Sequence, residues 1–562
     1  MDPRLRGDDG KPLGSSKSVP FEAGTLFVEA AHSRTHKMTA TAHRFSVLVA
    51  ALGLLPSAVI AAEPVPSRAP TNAAQIAVQT AALTRIDTKW LVTAKEATEW
   101  HRFKDQHGAA LSGNPSWQKF MGFVEEKLRD YGAVDIVRNS WSYDYWSTSD
   151  WPDNSQWSLA SNGKDVRVAN YGANSGATGP NGIAAPLIYY DHSNPPKDIA
   201  GKIVVFETQK AEIPVDDYEY YTSPSGRAPE PTPQSRHQNN IRMNYMGRQL
   251  RPFIEQVATP GKAAGVVFVM NANFERLKGY YTFGVPAIYN APTVFVDREA
   301  GKTVIADAKR GAAGRIKLLA TVKPVQTWQL IAYLPGKHYG TAQDEQIQIT
   351  THSDGPSISQ DDGAFGLLAA VKYFSNIARE QRPRTILFFV DNRHYMPGME
   401  RAFEEHDWFR KHPEARTKVR AVLGLEHLGQ REYFEDGEQY TSTGQADDVR
   451  VWVTNNRRMM DLAIAAVTDH RLPNTYVRNI DRPGIDGKSQ GSWLGLAGWG
   501  RRAGLPSFAL MGDLDAYWST AARLDRFDAD LFVKQVAAFA QMTGQLMVAD
   551  LSQLQAPPVA TR

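Results

Sequence analysis

Between Thr327 and Gly429 the sequence alternates apolar, β-rich runs with helical stretches, and this alternation leaves few folds open. The runs TWQLIAYLPG, EQIQITTHSDG, RTILFFVDN and RAVLGLEHLG read as strands. Helical patterns follow at Phe365–Arg379 and Gly398–Lys411. Strand–helix–strand units of this spacing predict an α/β fold on a mixed open sheet flanked by helices, with ligands at the carboxyl ends of the strands. His352, Asp391–His394 and Glu426–His427 each fall at such an end, so three separate segments are expected to converge on one site.

The stretch Ile347–Gly366 is the most informative of these. A strand delivers His352 and Asp354, and a polar loop then brings Asp361 and Asp362 in front of a helical pattern (Leu367, Leu368, Val371, Phe374). Imidazole and carboxylate groups so placed suit a divalent metal with nitrogen and oxygen ligands. They equally suit an Asp-rich turn in which Asp361 or Asp362 is a helix N-cap, and the residues alone leave both readings open. Cysteine is absent, so a transition-metal site here must be built from His, Asp and Glu. The net charge of +3, from 63 basic and 60 acidic residues, gives no field that would recruit nucleic acid or an anionic membrane. The one G-x-S-x-G match, Gly487–Gly491, lacks the apolar strand directly before it that a serine nucleophile elbow needs.

A chain of 562 residues with 42% hydrophobic content has material for more than one domain. Residues 1–62 read as an over-extended start followed by a leader, with the true start at Met38. His43 and Arg44 precede an apolar run, Phe45–Leu55, and Ala58, Ala61 and Ala62 lead up to Glu63. This predicts an exported protein, periplasmic or secreted, with no transmembrane segment after leader removal. The lack of cysteine is compatible with that. Glu63–Thr80 reads as a flexible lead-in. Residues 63–157 open the main domain and are mostly helical from Asp87 to Gly132, with Trp117, Phe120, Phe123, Val124 and Leu128 on one face. The aromatic segment NSWSYDYWSTSDWPDNSQW reads as a satellite core or as a sugar- or peptide-binding surface. Residues 158–323 form a β-rich insert with the strands PLIYYD, GKIVVFE, AAGVVFVMN and APTVFVD, little amphipathic helix, and a long Tyr-rich loop over Ala211–Arg251. The main domain resumes over 324–562.

From roughly Asp87 to the C-terminus the chain resembles the di-zinc aminopeptidases of the bacterial leucyl-aminopeptidase type, relatives of glutamate carboxypeptidase and the transferrin receptor ectodomain. The insert, through DIAGKIVVF, GKAAGVVFVM and PTVFVDREAGKTVIADAK, resembles a protease-associated domain. The resemblance implies that His352 binds zinc, that Asp354 orients it, and that Asp361 and Glu426 complete one metal site with a position left for water. The other half departs from the family. Counting back from Gly398, Asn392 and Arg393 stand where it carries a Glu–Glu pair, and Trp518 stands where it carries a histidine ligand. Asn392 cannot take a proton, Arg393 repels a cation and Trp518 cannot ligate. His394 is then expected as a ligand or general base, or as a loop-bonding side chain. Asp391 is the alternative base, and Arg393 the stabiliser of an oxyanion or the holder of a substrate carboxylate. Asp513 or Asp515 would replace the missing last ligand, and the segment GKSQGSWLGLAGWGRRAGLPSF resembles the family's pocket lining or serves as a structural loop. His427 is expected to point away from Glu426, on the other side of the strand, with a structural role. One zinc ion is implied, with a second left open, and a peptide or small amide as substrate. Two functions stand: a zinc metallopeptidase-like, aminopeptidase-type hydrolase with a rearranged site, or a catalytically inactive binding or scaffold protein on the same fold.

Overall fold

The computed structural model describes residues 73–208, 251–258, 262–281, 288–359, 361–397, 406–479, 493, 495–512 and 519–557. All of these belong to one compact unit, Glu63–Arg562. Strand β1 (Val134–Ser147) leads into the insert strands β2 (Trp157–Ser161), β3 (Lys164–Val166), β4 (Asn170–Tyr171), β5 (Ile183–Tyr189), β6 (Ile203–Glu207), β7 (Gly265–Val269), β8 (Thr293–Val296) and β9 (Ala313–Leu318). The chain returns through β10 (Thr321–Leu334), β11 (Gln346–His352), β12 (Thr385–Asp391) and β13 (Val419–Glu426), then makes the hairpin β14 (Arg431–Asp436) and β15 (Gln439–Ala446). Strands β16 (Val449–Val453), β17 (Thr475–Arg478) and β18 (Ser507–Gly512) complete it.

The main sheet has eight strands in the order β1-β10-β12-β11-β13-β18-β16-β17. Its centre, β12-β11-β13-β18, is parallel, and antiparallel pairings of β10 with β12 and of β16 with β18 flank it. This is the mixed α/β sheet expected from the sequence. Every residue of β11, β12 and β18 is buried, because helices and loops cover both faces of a parallel centre. One face carries the helices Ala94–His107, Pro115–Asp130, Gly363–Ser375 and Ala529–Val548, in a core that includes Phe120, Phe365, Phe374, Ile349, Leu423 and Phe539. The other face meets Trp408, Phe409 and Trp499. Among the described residues no helix is long and apolar enough to cross a membrane.

The insert builds a second eight-stranded sheet, in the order β3-β2-β9-β5-β6-β7-β8-β4. Its own core gathers Trp157, Tyr171, Val204, Val266, Phe268 and Phe295, and the aromatic segment before it supplies Trp146. This sheet runs from Trp157 to Leu318, so β10 begins at Thr321, just inside the expected boundary at Lys323. Two local expectations are corrected. The insert carries an amphipathic helix, Arg298–Lys309, capped by Asp297 through the N–H groups of Glu299 and Ala300. The lead-in ends in a helix, Ala73–Ala82, whose Ala-rich sequence favours helix. That helix is docked by hydrogen bonds from Gln79 to Asn376 and from Tyr373 to Ala82. The Tyr-rich loop before Arg251 and the residues Met1–Ala62 lie outside the described residues.

Candidate metal centre

Because β11 lies between β12 and β13, its last residue is surrounded by the ends of both. His352 pairs in register with Asp391, and Glu426 ends β13 beside Met511 of β18. The Nδ1 of His352 lies 2.9 Å from the main-chain carbonyl of Asp354, so Nδ1 is the donor there and Nε2 is the nitrogen turned toward Glu426. That Nε2 stands 3.3 Å from Glu426 Oε2. Burial pushes the His352 imidazole down, but the hydrogen bond and charge of Glu426, with Asp361 and Asp354, outweigh it and raise the pKa to about 9. On Glu426, burial acts upward and is outweighed by His352 and His427, so the carboxyl is held below its usual range. Its Oε1 accepts the N–H of Leu496 at 3.1 Å.

The third member is His427, and its placement corrects the expectation that it faces away. Its φ is +60°, a left-handed conformation that breaks the side-to-side alternation of the strand one residue after Glu426. Its Nε2 therefore lies 3.6 Å from Glu426 Oε2, while Nδ1 lies 3.2 Å from the Gly512 carbonyl that ends β18. One ligand atom each of His352, Glu426 and His427 fall within 4.8 Å of one another, and all three residues are buried. Two imidazoles and a carboxylate are a donor set of catalytic zinc sites, which keep a fourth position open. The residues present fit the metal.

Asp361 stands apart from this group. Its Oδ1 is 3.9 Å from Nδ1 of His352, on the side of the ring that Asp354 occupies, and its Oδ2 accepts the N–H of Ser357 at 2.8 Å. Of the expected set of His352, Asp361 and Glu426, the structure brings His352 and Glu426 together with His427, while Asp361 faces the other nitrogen of the His352 ring. Burial raises the Asp361 pKa to about 6, against the charges of Lys104 and His352. Asp362 takes the N-cap position of the Gly363–Ser375 helix without capping it. Its carboxylate accepts the N–H of Leu428 at 2.9 Å and meets His101 Nε2 at 3.0 Å. Asp354 contributes its main-chain carbonyl to His352, and its carboxylate accepts the N–H groups of His394 (3.3 Å) and Tyr395 (2.8 Å). It therefore positions the loop after β12, and burial raises its pKa to about 7.

Two further expectations are corrected on β12. Asp391 Oδ1 accepts the N–H groups of Asn392 and Arg393 and the Nε of Arg393, at 2.8, 2.9 and 2.9 Å. Its Oδ2 accepts Gln329 Nε2 at 2.6 Å and a guanidinium nitrogen of Arg393. A carboxylate so occupied is not placed as a general base, and Arg393, itself fully buried, is committed to Asp391 rather than to an oxyanion or a substrate carboxylate. His394 does reach the site. Its ring centroid lies 4.3 Å from that of His352. Burial, with the charges of His352 and His427, pushes its pKa well below the usual histidine range.

Two functional-looking residues escaped the sequence reading. His101 and Lys104 lie on the Ala94–His107 helix with Ala97 and Trp100, at the spacing of one buried face. A histidine and a lysine on an apolar face are the signal that was available. Lys104 donates to the carbonyls of Ser357 (3.2 Å) and Asp361. Burial lowers its pKa, opposed by Asp361, Asp362 and Asp354. Asp513, Asp515 and Trp518, with residues 487–492 and 494 of the Gly- and Trp-rich segment, lie outside the described residues; Gly495 and Leu496 lie against Glu426.

No family model and no curated protein matches the sequence. Solved structures do match the fold. A peptidase M28 precursor from Shewanella amazonensis SB2B aligns with a TM-score of 0.56 at 13% identity, over 86% of this chain and 100% of its own. The fold is zinc-aminopeptidase-like. An aminopeptidase from Aneurinibacillus sp. strain AM-1 aligns with a TM-score of 0.51 at 15% identity, over 85% of this chain and 98% of its own. A zinc aminopeptidase from Bacillus subtilis aligns at 0.51 and 12%, over 83% and 99%. At these identities the likeness concerns the zinc-aminopeptidase-like architecture, the mixed sheet with its flanking helices.

Proposed function

We propose that the chain is a zinc-dependent, peptidase-like hydrolase with a single-metal centre held by His352, Glu426 and His427, acting on a peptide or small amide. The observation that carries this is the convergence of those three ligand atoms within 4.8 Å, at the carboxyl end of the parallel strands of a zinc-aminopeptidase-like sheet. His352, Glu426 and His427 would hold the zinc ion, which would supply Lewis acidity and a water of pKa about 7. The protein's own groups do the rest. Asp354 fixes the tautomer of His352 through its carbonyl and holds the His394 loop through its carboxylate. His394, whose ring lies beside that of His352, is the general base of this reading. Aminopeptidase specificity is the finer form of the proposal, as is assignment of the insert to the protease-associated type, which its strand rhythm supports. Export is part of the proposal, and the leader-like run before Glu63 supports it. A second reading, an inactive binding protein, draws on the Asp391–Arg393 pair, which neutralises the carboxylate that ends β12.

Turnover of aminoacyl and peptide amides, before and after chelation, separates the two. The hydrolase loses activity with chelator and regains it with zinc, and His394→Ala keeps zinc while kcat falls about 10²- to 10⁴-fold. Protein that retains zinc but turns over no amide is the binding protein. Full activity in His394→Ala removes that residue from the mechanism.

A further inference from the structure

Beside the metal centre lies a small cavity between the insert and the main sheet. Its walls include Tyr143 and Tyr145 of β1, Asn174 and Tyr281 of the insert, and Tyr395 of the loop after β12. A chain of rings ties it to the ligands. Tyr281 stands 5.8 Å from Tyr395, Tyr395 stacks 5.1 Å from His394, and His394 lies 4.3 Å from His352. The backbone N–H of Tyr395 is held by Asp354. Anything in the cavity is therefore adjacent to groups that surround the metal position.

Two features define what the cavity takes. It is small: the accessible space is about 10 Å³, the room of a single water. It also presents a buried donor. Asn174 is 4% exposed, its backbone is left-handed at φ +61°, and its Nδ2 has no hydrogen-bond partner. Neighbouring polar groups are engaged elsewhere: the Tyr143 hydroxyl donates to the Ser112 carbonyl at 2.6 Å, the Ser112 hydroxyl to the Asn392 carbonyl, and Trp146 Nε1 to the Ser175 carbonyl at 2.7 Å. The conformation of Asn174 is tolerated by asparagine better than by most residues. A buried amide donor without a partner costs stability that an incoming acceptor recovers.

We infer that this cavity is a side-chain subsite of the hydrolase centre, selective for a small residue bearing a hydrogen-bond acceptor, of the serine type, with Asn174 Nδ2 as the donor that reads it. The inference rests on the metal-centre reading above and deepens it by naming the substrate class. The aromatic walls close the space to branched or aromatic side chains, and Asn174 favours a hydroxyl oxygen over a methyl group of similar size. Asn174 and Tyr281 both come from the insert, which makes the insert part of the specificity apparatus.

The test uses full-length, zinc-loaded protein and four probes, the hydroxamates of serine, alanine, leucine and phenylalanine, whose common headgroup chelates metal. The serine probe is expected to bind tighter than the alanine probe, and the leucine and phenylalanine probes at least about tenfold weaker than alanine. In Asn174→Leu, which keeps the branching of the side chain and removes the donor, the serine-to-alanine ratio falls to near one. Tyr281→Ala admits the leucine probe. Zinc content and thermal melting of each variant show that it is folded. Affinities independent of side chain, or an unchanged serine-to-alanine ratio in Asn174→Leu, overturn the subsite and leave the metal centre standing. Failure of all four probes on protein that keeps no zinc overturns the metal-centre reading, and the subsite with it.

Discussion

Asp391 and Arg393 place two opposite charges in a fully buried loop, joined in bidentate fashion and completed by Gln329 and two backbone N–H groups. Such a pair adds little net stability, but removal of one partner strands the other charge in a low-dielectric interior. Asp391→Ala is therefore expected to destabilise the protein by about 3–5 kcal/mol in denaturant unfolding. A stable variant with lost turnover would instead give Asp391 a direct catalytic role. The sequence placed His352, Glu426 and His394 at strand ends by period and position alone, and they do meet in space. His427 could not be placed that way, since its orientation depends on one left-handed backbone angle that EHLG does not announce. The pairing of Asp391 with Arg393 was equally hidden, because Arg393 lies in the loop beyond the last residue of β12, where no strand period fixes the direction of a side chain.

At the scale of elements, the site depends on how closely the Gly363–Ser375 helix approaches the strands on either side. A Cβ on Gly363 would meet Thr351 Oγ1 at 2.0 Å and the Leu425 carbonyl at 2.3 Å, both belonging to strands that end in metal-site residues. The Thr351 hydroxyl is a side-chain atom, but the Leu425 carbonyl is main chain and cannot give way without shifting Glu426. Gly363→Ala is expected to cost about 1–3 kcal/mol by overpacking, and to weaken zinc binding as well. Unchanged stability and unchanged zinc affinity would show that the helix start is not held as tightly as the packing implies. The strands and this helix were readable because their apolar runs and 3.6-residue period are local properties. The lead-in helix Ala73–Ala82 was missed because Ala and Pro counts near a leader suggest a linker, while its docking through Gln79 and Tyr373 is a tertiary matter.

Over the whole molecule, the insert is held to the main domain by the β14–β15 hairpin. Glu435, with 8% of its side chain exposed, accepts the N–H of Asn273 at 3.0 Å and meets Arg276 and Arg298 at 3.2 and 2.6 Å. Asn273 Nδ2 donates in turn to the carbonyls of Gly437 and Gln439, at 2.9 Å each. Loss of this carboxylate leaves two arginines without their shared partner, so Glu435→Ala is expected to speed amide hydrogen exchange over 273–281 while the parallel core of the main sheet stays protected. Unaltered exchange there would show that the bridge between Tyr280 and Ser519 holds the insert by itself. The two-sheet architecture was foreseeable from the change in texture near residue 158, but the contacts that fix the insert were not, since they join residues more than a hundred positions apart. The proposed function depends on a single zinc ion held by His352, Glu426 and His427. Its most direct test is elemental analysis of purified protein never exposed to chelator, beside His427→Ala. About one zinc per chain is expected, lost in the variant; two zinc ions per chain, or one that His427→Ala leaves in place, would rule out the single-zinc centre.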